Sequence, residues 1–273
     1  MEEINGDTKL SAGQRLRYFW DNILRNLSDG GGGKLITHYR IPGDFDKGSL
    51  GSPVRVVTEA FLLQRVPEMV PPGTVRVLDV GCGSGSLSDK LADVGYVGDY
   101  VGVDIDNRFL ENTSHPQAFT RRFVQTDAHA FCDPAPYDLV VSICALEHIP
   151  NDDRLVSNLE GMVGETGLQV HFLPSGWALF LYLWHGFRQY TAGRIARQPT
   201  TQNMSIYSLG GLPSFLVHFI FITVAEAVLK VQLRRHWPDF YRWCRNGAMR
   251  MDRFMPFVPI GYVMCLSGKD GER

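Results

Sequence analysis

The chain is most informative first for what it lacks. Its five cysteines (Cys82, Cys132, Cys144, Cys244 and Cys265) form no C-x-x-C pair, so neither a zinc site nor a disulfide framework is signalled. A reducing, intracellular setting is the simpler reading. No charge of one sign dominates: 27 Lys and Arg stand against 29 Asp and Glu over 273 residues, a formal net charge of -2. There is no global pull toward nucleic acid, and no nucleic-acid partner is expected. The first residues, MEEINGDTKL, carry neither the basic nor the apolar segment of a secretory signal, so the expected location is cytoplasmic. Long apolar runs are missing too. Residues 177–187 are too few to span a bilayer, and 212–229 is interrupted by Pro213, His218 and Glu226, whereas a span needs roughly 20 mostly apolar residues. Buried or interfacial helices are expected there. A phosphate-binding P-loop is absent as well: Gly30–Gly33 precede Lys34, but Ser28 and Leu35 stand where the pattern needs Gly and Ser or Thr. A flexible connection is the reading, with an ordered loop over 37–51. No internal repeat is visible.

What is present is an ordinary apolar fraction of 44%, enough for a sizeable core, and a regular rhythm. Ser11 and Gln14 form a capping-box pattern. Leu16, Phe19, Trp20, Ile23, Leu24 and Leu27 then recur on one helical face, which is read as core packing. A second helix starts at Ser52-Pro53, with proline at the first helical position. Near-continuous apolar strands follow, over 75–80, 100–103, 122–125, 138–143 and 168–172, alternating with helices that start near Ser86, Asp106 and Asn151. That alternation means a parallel sheet covered on both faces, doubly wound by right-handed crossovers. After Leu173 the rhythm changes to helices over 176–188, a short one to 197, 213–235 and 238–250, with strand character over 202–208 and a last strand over 260–267.

Three acids follow three consecutive strands. "VLDVGCGSGSLS" (77–88) places Asp79 ahead of Gly81, Gly83 and Gly85. The glycines allow a tight turn in which backbone N–H groups face a ligand. The dinucleotide fingerprint would put its third glycine at Ser86, and a carboxylate such as Asp79 is a poor neighbour for a pyrophosphate but a good one for a cationic amine. "YVGVDID" ends in Asp104, placed for two ribose hydroxyls. "TDAHAF" offers Asp127 to an exocyclic adenine N–H, with Ala128 beside it. Singly, each acid reads as readily as a helix cap or solvated loop residue.

Together with "YDLVVSICALEHIP" (137–150), these motifs, in order and at this spacing, resemble the class I S-adenosylmethionine-dependent methyltransferases. The resemblance covers about 71–173. It implies an α/β, Rossmann-like sheet of seven strands with the last antiparallel. It also implies S-adenosylmethionine as cofactor, held by Asp79, Gly81, Cys82, Gly83 and Gly85 around the methionine part. Asp104 would take the ribose, Ile105, Asp127 and Ala128 the adenine, and Cys144 would pass beside the sulfonium. "LEHIP" resembles the motif of methyltransferases acting on quinones, small metabolites and sugars. There His148 is a candidate general base, or else a residue that caps or packs at the strand end. Some quinone-type relatives carry a further glutamate three residues before the Glu of this motif and bind a divalent metal; Cys144 stands there, so no metal is expected.

His171, at the end of the fifth strand, is a second candidate base. Glu147, Trp177, His185, Arg188 and Tyr190 are candidates for the acceptor pocket, plain packing being the alternative for each. The implied organisation is an N-terminal helical cap (1–70), a cofactor-binding core (71–174), a substrate-binding helical insertion (175–253) and a closing strand (254–273). The implied activity is methyl transfer to O or N of a small-molecule acceptor, sugar-like or a secondary metabolite. Two alternatives stand beside it: a lipid-linked or quinone acceptor at a membrane surface, to which the basic stretch 188–253 also speaks, and a non-catalytic cofactor-binding partner subunit.

Overall fold

The computed structural model describes residues 3–29, 36–41, 48–111 and 117–268. The connection read over 30–34, and the part of the loop over 42–47, lie outside the described residues. Eight strands lie among the described residues: β1 (Ile36–His38), β2 (Thr74–Val80), β3 (Val97–Asp104), β4 (Phe119–Gln125), β5 (Tyr137–Ile143), β6 (Val163–Pro174), β7 (Asn203–Leu209) and β8 (Gly261–Ser267). They lie in the order β1-β7-β8-β6-β5-β2-β3-β4. The chain divides into two compact units, and the division runs through β7 and β8. One unit holds 62–173, 197–205 and 264–273; the other holds 1–61, 174–196 and 206–263.

In the first unit β2 is flanked by β3 and β5, both parallel to it, with Val77 opposite Tyr100 and Leu139, and Asp79 opposite Gly102 and Val141. Val77, Leu78, Leu139, Val140 and Val141 are all fully buried, as expected of strands covered on both faces. The parallel arrangement brings the carboxyl ends of β2, β3, β4 and β5 to one edge. β8 runs the other way. Gly268, just after it, approaches the Glu165 carbonyl near the start of β6. At its beginning the Ile260 N–H donates to the Leu209 carbonyl at the end of β7, 2.9 Å away.

Several expectations are corrected. The sheet has eight strands rather than seven: Ile36–His38 pairs in parallel with Ile206–Ser208, inside a segment read as loop, because three residues are too few to show alternation. The helix foreseen near Asp106 is a single 3-10 turn, Arg108–Glu111. The one foreseen over 176–188 is only Ala178–Tyr182, ended by Leu183 at a φ of 60°. No glycine or proline stands at the break itself; the first glycine, Gly186 at a φ of 63°, comes three residues on.

The first helix, Ala12–Ser28, has its capping box: the Gln14 N–H donates to Ser11 Oγ at 3.3 Å and the Ser11 N–H donates to Gln14 Oε1 at 2.9 Å. Its apolar face, however, is only partly covered: Phe19 meets Phe180 edge-on, ring centroids 5.6 Å apart, and Ile23 is half-buried. Leu16, Trp20, Leu24 and Leu27 are between 56% and 74% exposed, and the helix instead buries Tyr18 and Asn22. The Tyr18 hydroxyl donates to the His185 carbonyl at 2.7 Å and accepts from Gln189 Nε2 at 2.9 Å. Periodicity marks a face as apolar; it does not say how much of that face is covered.

The stability of two variants separates these faces. Leu24→Ser is expected to shift unfolding by no more than about 0.5 kcal/mol. Tyr18→Phe removes a buried hydroxyl from three hydrogen bonds and is expected to cost roughly 1–3 kcal/mol. Chemical denaturation of both variants checks the contrast.

Candidate cofactor crevice

Past β2 the backbone turns on Gly81, Gly83 and Gly85, with φ of 74°, 54° and 74°. Only glycine adopts this region without strain. The three are not equivalent. A Cβ on Gly81 would lie 2.5 Å from Ala145 Cβ, and one on Gly85 would lie 2.5 Å from the Phe123 ring. At Gly83 the nearest atom would be an Arg108 guanidinium nitrogen at 3.8 Å. Two glycines are demanded by close packing, and the middle one leaves its backbone open. The turn is pinned to β3: the Gly81 and Cys82 N–H groups both donate to the Val103 carbonyl, at 2.8 and 3.1 Å.

Asp104, at the tip of β3, is buried, and its two oxygens accept from the Gly83 N–H at 2.7 Å and the Asp106 N–H at 2.9 Å. It therefore shapes the glycine turn itself. An ionised carboxylate has about four acceptor positions, so capacity for a ligand hydroxyl remains. Ile105, next to it, is 70% exposed, an apolar side chain with an open flank. Asp127 lies exposed beyond β4, one oxygen accepting from the His129 N–H at 2.8 Å, and Ala128 is half-buried beside it. Cys144, just past β5, takes a φ of 49°. A non-glycine residue in this region costs on the order of 1–3 kcal/mol and persists where the surroundings enforce it. Its N–H donates to the Phe172 carbonyl at 3.0 Å. Burial, with the field of Glu147, pushes its thiol up, and burial with the fields of Asp79 and Asp104 does the same to Cys82. Both stay protonated.

Asp79 is the unusual group. It is 3% exposed, and the Tyr100 hydroxyl donates to its Oδ2. Burial pushes its carboxyl up to about 7; the Tyr100 hydrogen bond opposes the shift and the Asp104 carboxylate adds to it. None of these influences is a cation. A buried acid held by a neutral phenol and facing another acid fits a ligand that brings its own positive charge. Together with the open backbone at Gly83, this donor set suits an amino-acid sulfonium carrying a nucleoside. Tyr100 escaped the sequence reading, although a signal existed. Gly102 stands opposite Asp79, and Tyr100, two residues earlier, shares its face, so strand register alone aims the phenol at the acid.

Glu147 and His148 follow on a 3-10 turn, Leu146–His148. Glu147 is fully buried, while the His148 side chain is about one-third exposed, with Nε2 3.8 Å from Glu147 Oε1. His171 corrects an expectation. It is fully buried inside the sheet, with Nδ1 paired to Ser142 Oγ at 2.8 Å and Nε2 to Gln169 Oε1 at 3.1 Å. Burial pushes it down to about 3. Both nitrogens are engaged, so it is a structural histidine rather than a base.

The remaining candidates lie in the other unit. Trp177 lines a mainly apolar cavity of about 280 Å³ with Ile23, Leu27, Leu179, Phe180 and Tyr262. His185 is paired with Asp7, Nδ1 to Oδ1 3.3 Å. Arg188 and Tyr190 are 2% and 3% exposed. The Arg188 guanidinium is taken by Glu3, and Tyr190 bonds through its backbone to Pro174 and Gly176. Packing, the alternative weighed for these two, is what the structure gives.

A parallel sheet with a glycine turn and acids at consecutive strand tips defines a nucleoside-binding protein of the Rossmann-like class. The comparisons narrow this. Residues 77–167 match the family model described as a methyltransferase domain. A ubiquinone biosynthesis O-methyltransferase of Paraburkholderia phymatum is 29% identical over 120 residues, 42% of this chain and 47% of that protein. One from Azoarcus sp. is also 29% identical, over 201 residues covering 70% and 72%. A crystal structure of a coclaurine N-methyltransferase bound to N-methylheliamine and SAH superposes with a TM-score of 0.53 over 95% of this chain and 90% of that one, at 14% identity, a likeness of fold. Over residues 77–167 the chain is thus similar to methyltransferase domains, and its fold is that of the superposed methyltransferase. It spans about half to three-fifths of the length of several curated relatives it matches.

Asp79 makes a prediction about the protein without ligand. Its folded pKa lies above the unfolded value of 3.8, so the wild type loses stability as pH rises from about 4 to about 7 and then levels off. Asp79→Asn is expected to melt like the wild type near pH 4 and to be the more stable protein above pH 7, by up to roughly 4 kcal/mol. Thermal melts across that range check the sign.

Proposed function

We propose that the protein transfers a methyl group from S-adenosylmethionine to an oxygen or nitrogen of a small-molecule acceptor. The observation that carries this is Asp79, a buried acid with no cation among the influences on it, beside a backbone turn left open at Gly83. When bound, S-adenosylmethionine supplies an electrophilic methyl group on a sulfonium centre. Asp79 and the turn of Gly81, Cys82, Gly83 and Gly85 hold its amino-acid part. Asp104 takes the ribose hydroxyls with its remaining acceptor capacity. Ile105, Asp127 and Ala128 receive the adenine, and the strained Cys144 backbone passes beside the reacting centre. Holding two reactants in line contributes most of the rate, in favourable cases roughly 7–11 kcal/mol.

For a hydroxyl acceptor, His148 takes the proton as the acceptor oxygen attacks. Glu147, 3.8 Å away, stabilises the imidazolium that forms. An amine acceptor needs only to arrive neutral. A sugar-like or secondary-metabolite acceptor is the first reading. A quinone or lipid-linked acceptor is the second, favoured by the apolar cavity around Trp177 and by the relatives named for ubiquinone biosynthesis.

Calorimetry tests the cofactor half. S-adenosylhomocysteine is expected to bind and NADH not to. Affinity should rise with pH up to about 7 and flatten above it, because binding draws on ionised Asp79. In Asp79→Asn the profile should be flat and the affinity lower, and Asp104→Asn should weaken binding roughly 10- to 100-fold. A chain that binds NADH and ignores S-adenosylhomocysteine would sink the reading. For the acceptor, labelled S-adenosylmethionine is offered with a metabolite extract, a quinol and a free sugar. His148→Gln is expected to lower turnover on the labelled hydroxyl compound about 10²- to 10⁴-fold, with cofactor affinity unchanged.

A further inference from the structure

The helix Leu212–His218 runs into a wider π-helical stretch, Phe219–Val228. The end of that stretch is firmly tied. The Leu229 N–H donates to the Val224 carbonyl at 2.9 Å, Lys230 reverses the chain at a φ of 59°, and the Val231 N–H donates to the Ala225 carbonyl at 2.8 Å. Val228, Leu229 and Val231 are nevertheless exposed. The following helix, Pro238–Met251, buries Tyr241, Arg245 and Ala248. Its other face shows Phe240 and Trp243, whose rings stack 6.1 Å apart. Trp237, Phe240 and Trp243 are between 52% and 72% exposed, and Met251, Phe254 and Phe257 continue the exposed series.

Positive charge predominates around these side chains, although Arg234 is paired with Glu226 and Arg245 is buried. Residues 227–257 hold seven Lys and Arg against two Asp. Lys230, Arg235, Arg250 and Arg253 are exposed. Of the two acids, Asp239 is paired with Arg242, and Asp252 is buried and accepts from Ser214. No helix among the described residues is long and apolar enough to cross a membrane.

We propose that the surface of residues 227–257 docks on an anionic lipid bilayer. Tryptophan and phenylalanine side chains settle at the headgroup level, the aliphatic tip enters just below it, and the cations meet the lipid phosphates. The charge decides against a second copy of the chain: a two-fold contact would set this basic surface against itself. The inference stands apart from the methyl-transfer reading, since it concerns a surface and not the crevice.

Flotation of the full chain with vesicles tests it. Binding is expected to vesicles of phosphatidylcholine mixed with phosphatidylglycerol and not to phosphatidylcholine alone, with a blue shift of tryptophan emission and a loss at high salt. Trp237→Ser with Trp243→Ser, and separately Arg235→Glu with Arg250→Glu, should each weaken binding about tenfold or more. Both double variants should keep the wild-type melting curve, because the altered side chains are exposed. Absence of binding to the mixed vesicles, or equal binding by wild type and both variants, overturns the proposal. A dimer in sedimentation velocity that the tryptophan variant abolishes also overturns it, giving the face to a second copy. An inactive protein in the methyl-transfer assay changes none of these readings.

Discussion

The contact on which the crevice depends is the one between Asp104 and the Gly83 N–H, 2.7 Å long. Parallel pairing of β2 with β3 brings the two strand tips side by side, but pairing ends at the tips. Beyond them the Val103 carbonyl and the Asp104 carboxylate take over, accepting from Gly81, Cys82 and Gly83 in turn. The turn is thus organised by the same acid that is proposed to hold the ribose. A hydrogen bond to a charged group contributes roughly 1.5–3 kcal/mol, enough to fix a loop whose glycines would otherwise sample many conformations. An alanine at this position would remove the loop's anchor as well as a ligand contact; asparagine keeps an acceptor for Gly83.

Asp79 shows the opposite economy. Its burial is unfavourable for the ionised form, and the Tyr100 hydroxyl offsets only part of that. A folded chain does not keep such a group for stability, since a buried charge with no counter-ion is among the costlier features a core can hold. The destabilisation makes sense as a site held ready for a cation that the chain does not itself provide. Perturbed acids gather at functional sites for this reason.

What was legible in the sequence follows from these constraints. The tips of β2, β3 and β4 were readable because chemistry there demands particular residue types at fixed spacing: an acid, a glycine turn, another acid. Asp79, Gly81, Gly83, Gly85 and Asp104 were candidates from spacing, and the structure brings them to adjacent strand tips. Tyr100 was not, because its role arises from register across strands, which one strand's pattern does not display. His171 misled for a related reason. A histidine at a strand end looks like a base until Ser142 and Gln169 are seen to occupy both of its nitrogens. β1 was invisible because three residues carry no alternation, and the early end falls at Leu183, three residues ahead of Gly186. On the first helix the pattern was right about amphipathicity and only partly right about what is covered: Phe19 and Ile23 are half-buried, but the fully buried residues are Tyr18 and Asn22.

Composition misled in a subtler way. A net charge of -2 reads as electrostatic neutrality, yet it sums two regions of opposite sign. The strand tips collect Asp79, Asp104 and Asp127, whereas 227–257 exposes Lys230, Arg235, Arg250 and Arg253, its Arg234 being paired with Glu226 and its Arg245 buried. Screening limits each field to about 10 Å in ordinary buffers, so a ligand at one region responds to local charge and not to the total. The neutral sum therefore excluded neither a cationic cofactor in the crevice nor an anionic surface against the helices. The relevant quantity is charge per surface within a screening length, and on that measure this chain is strongly polarised.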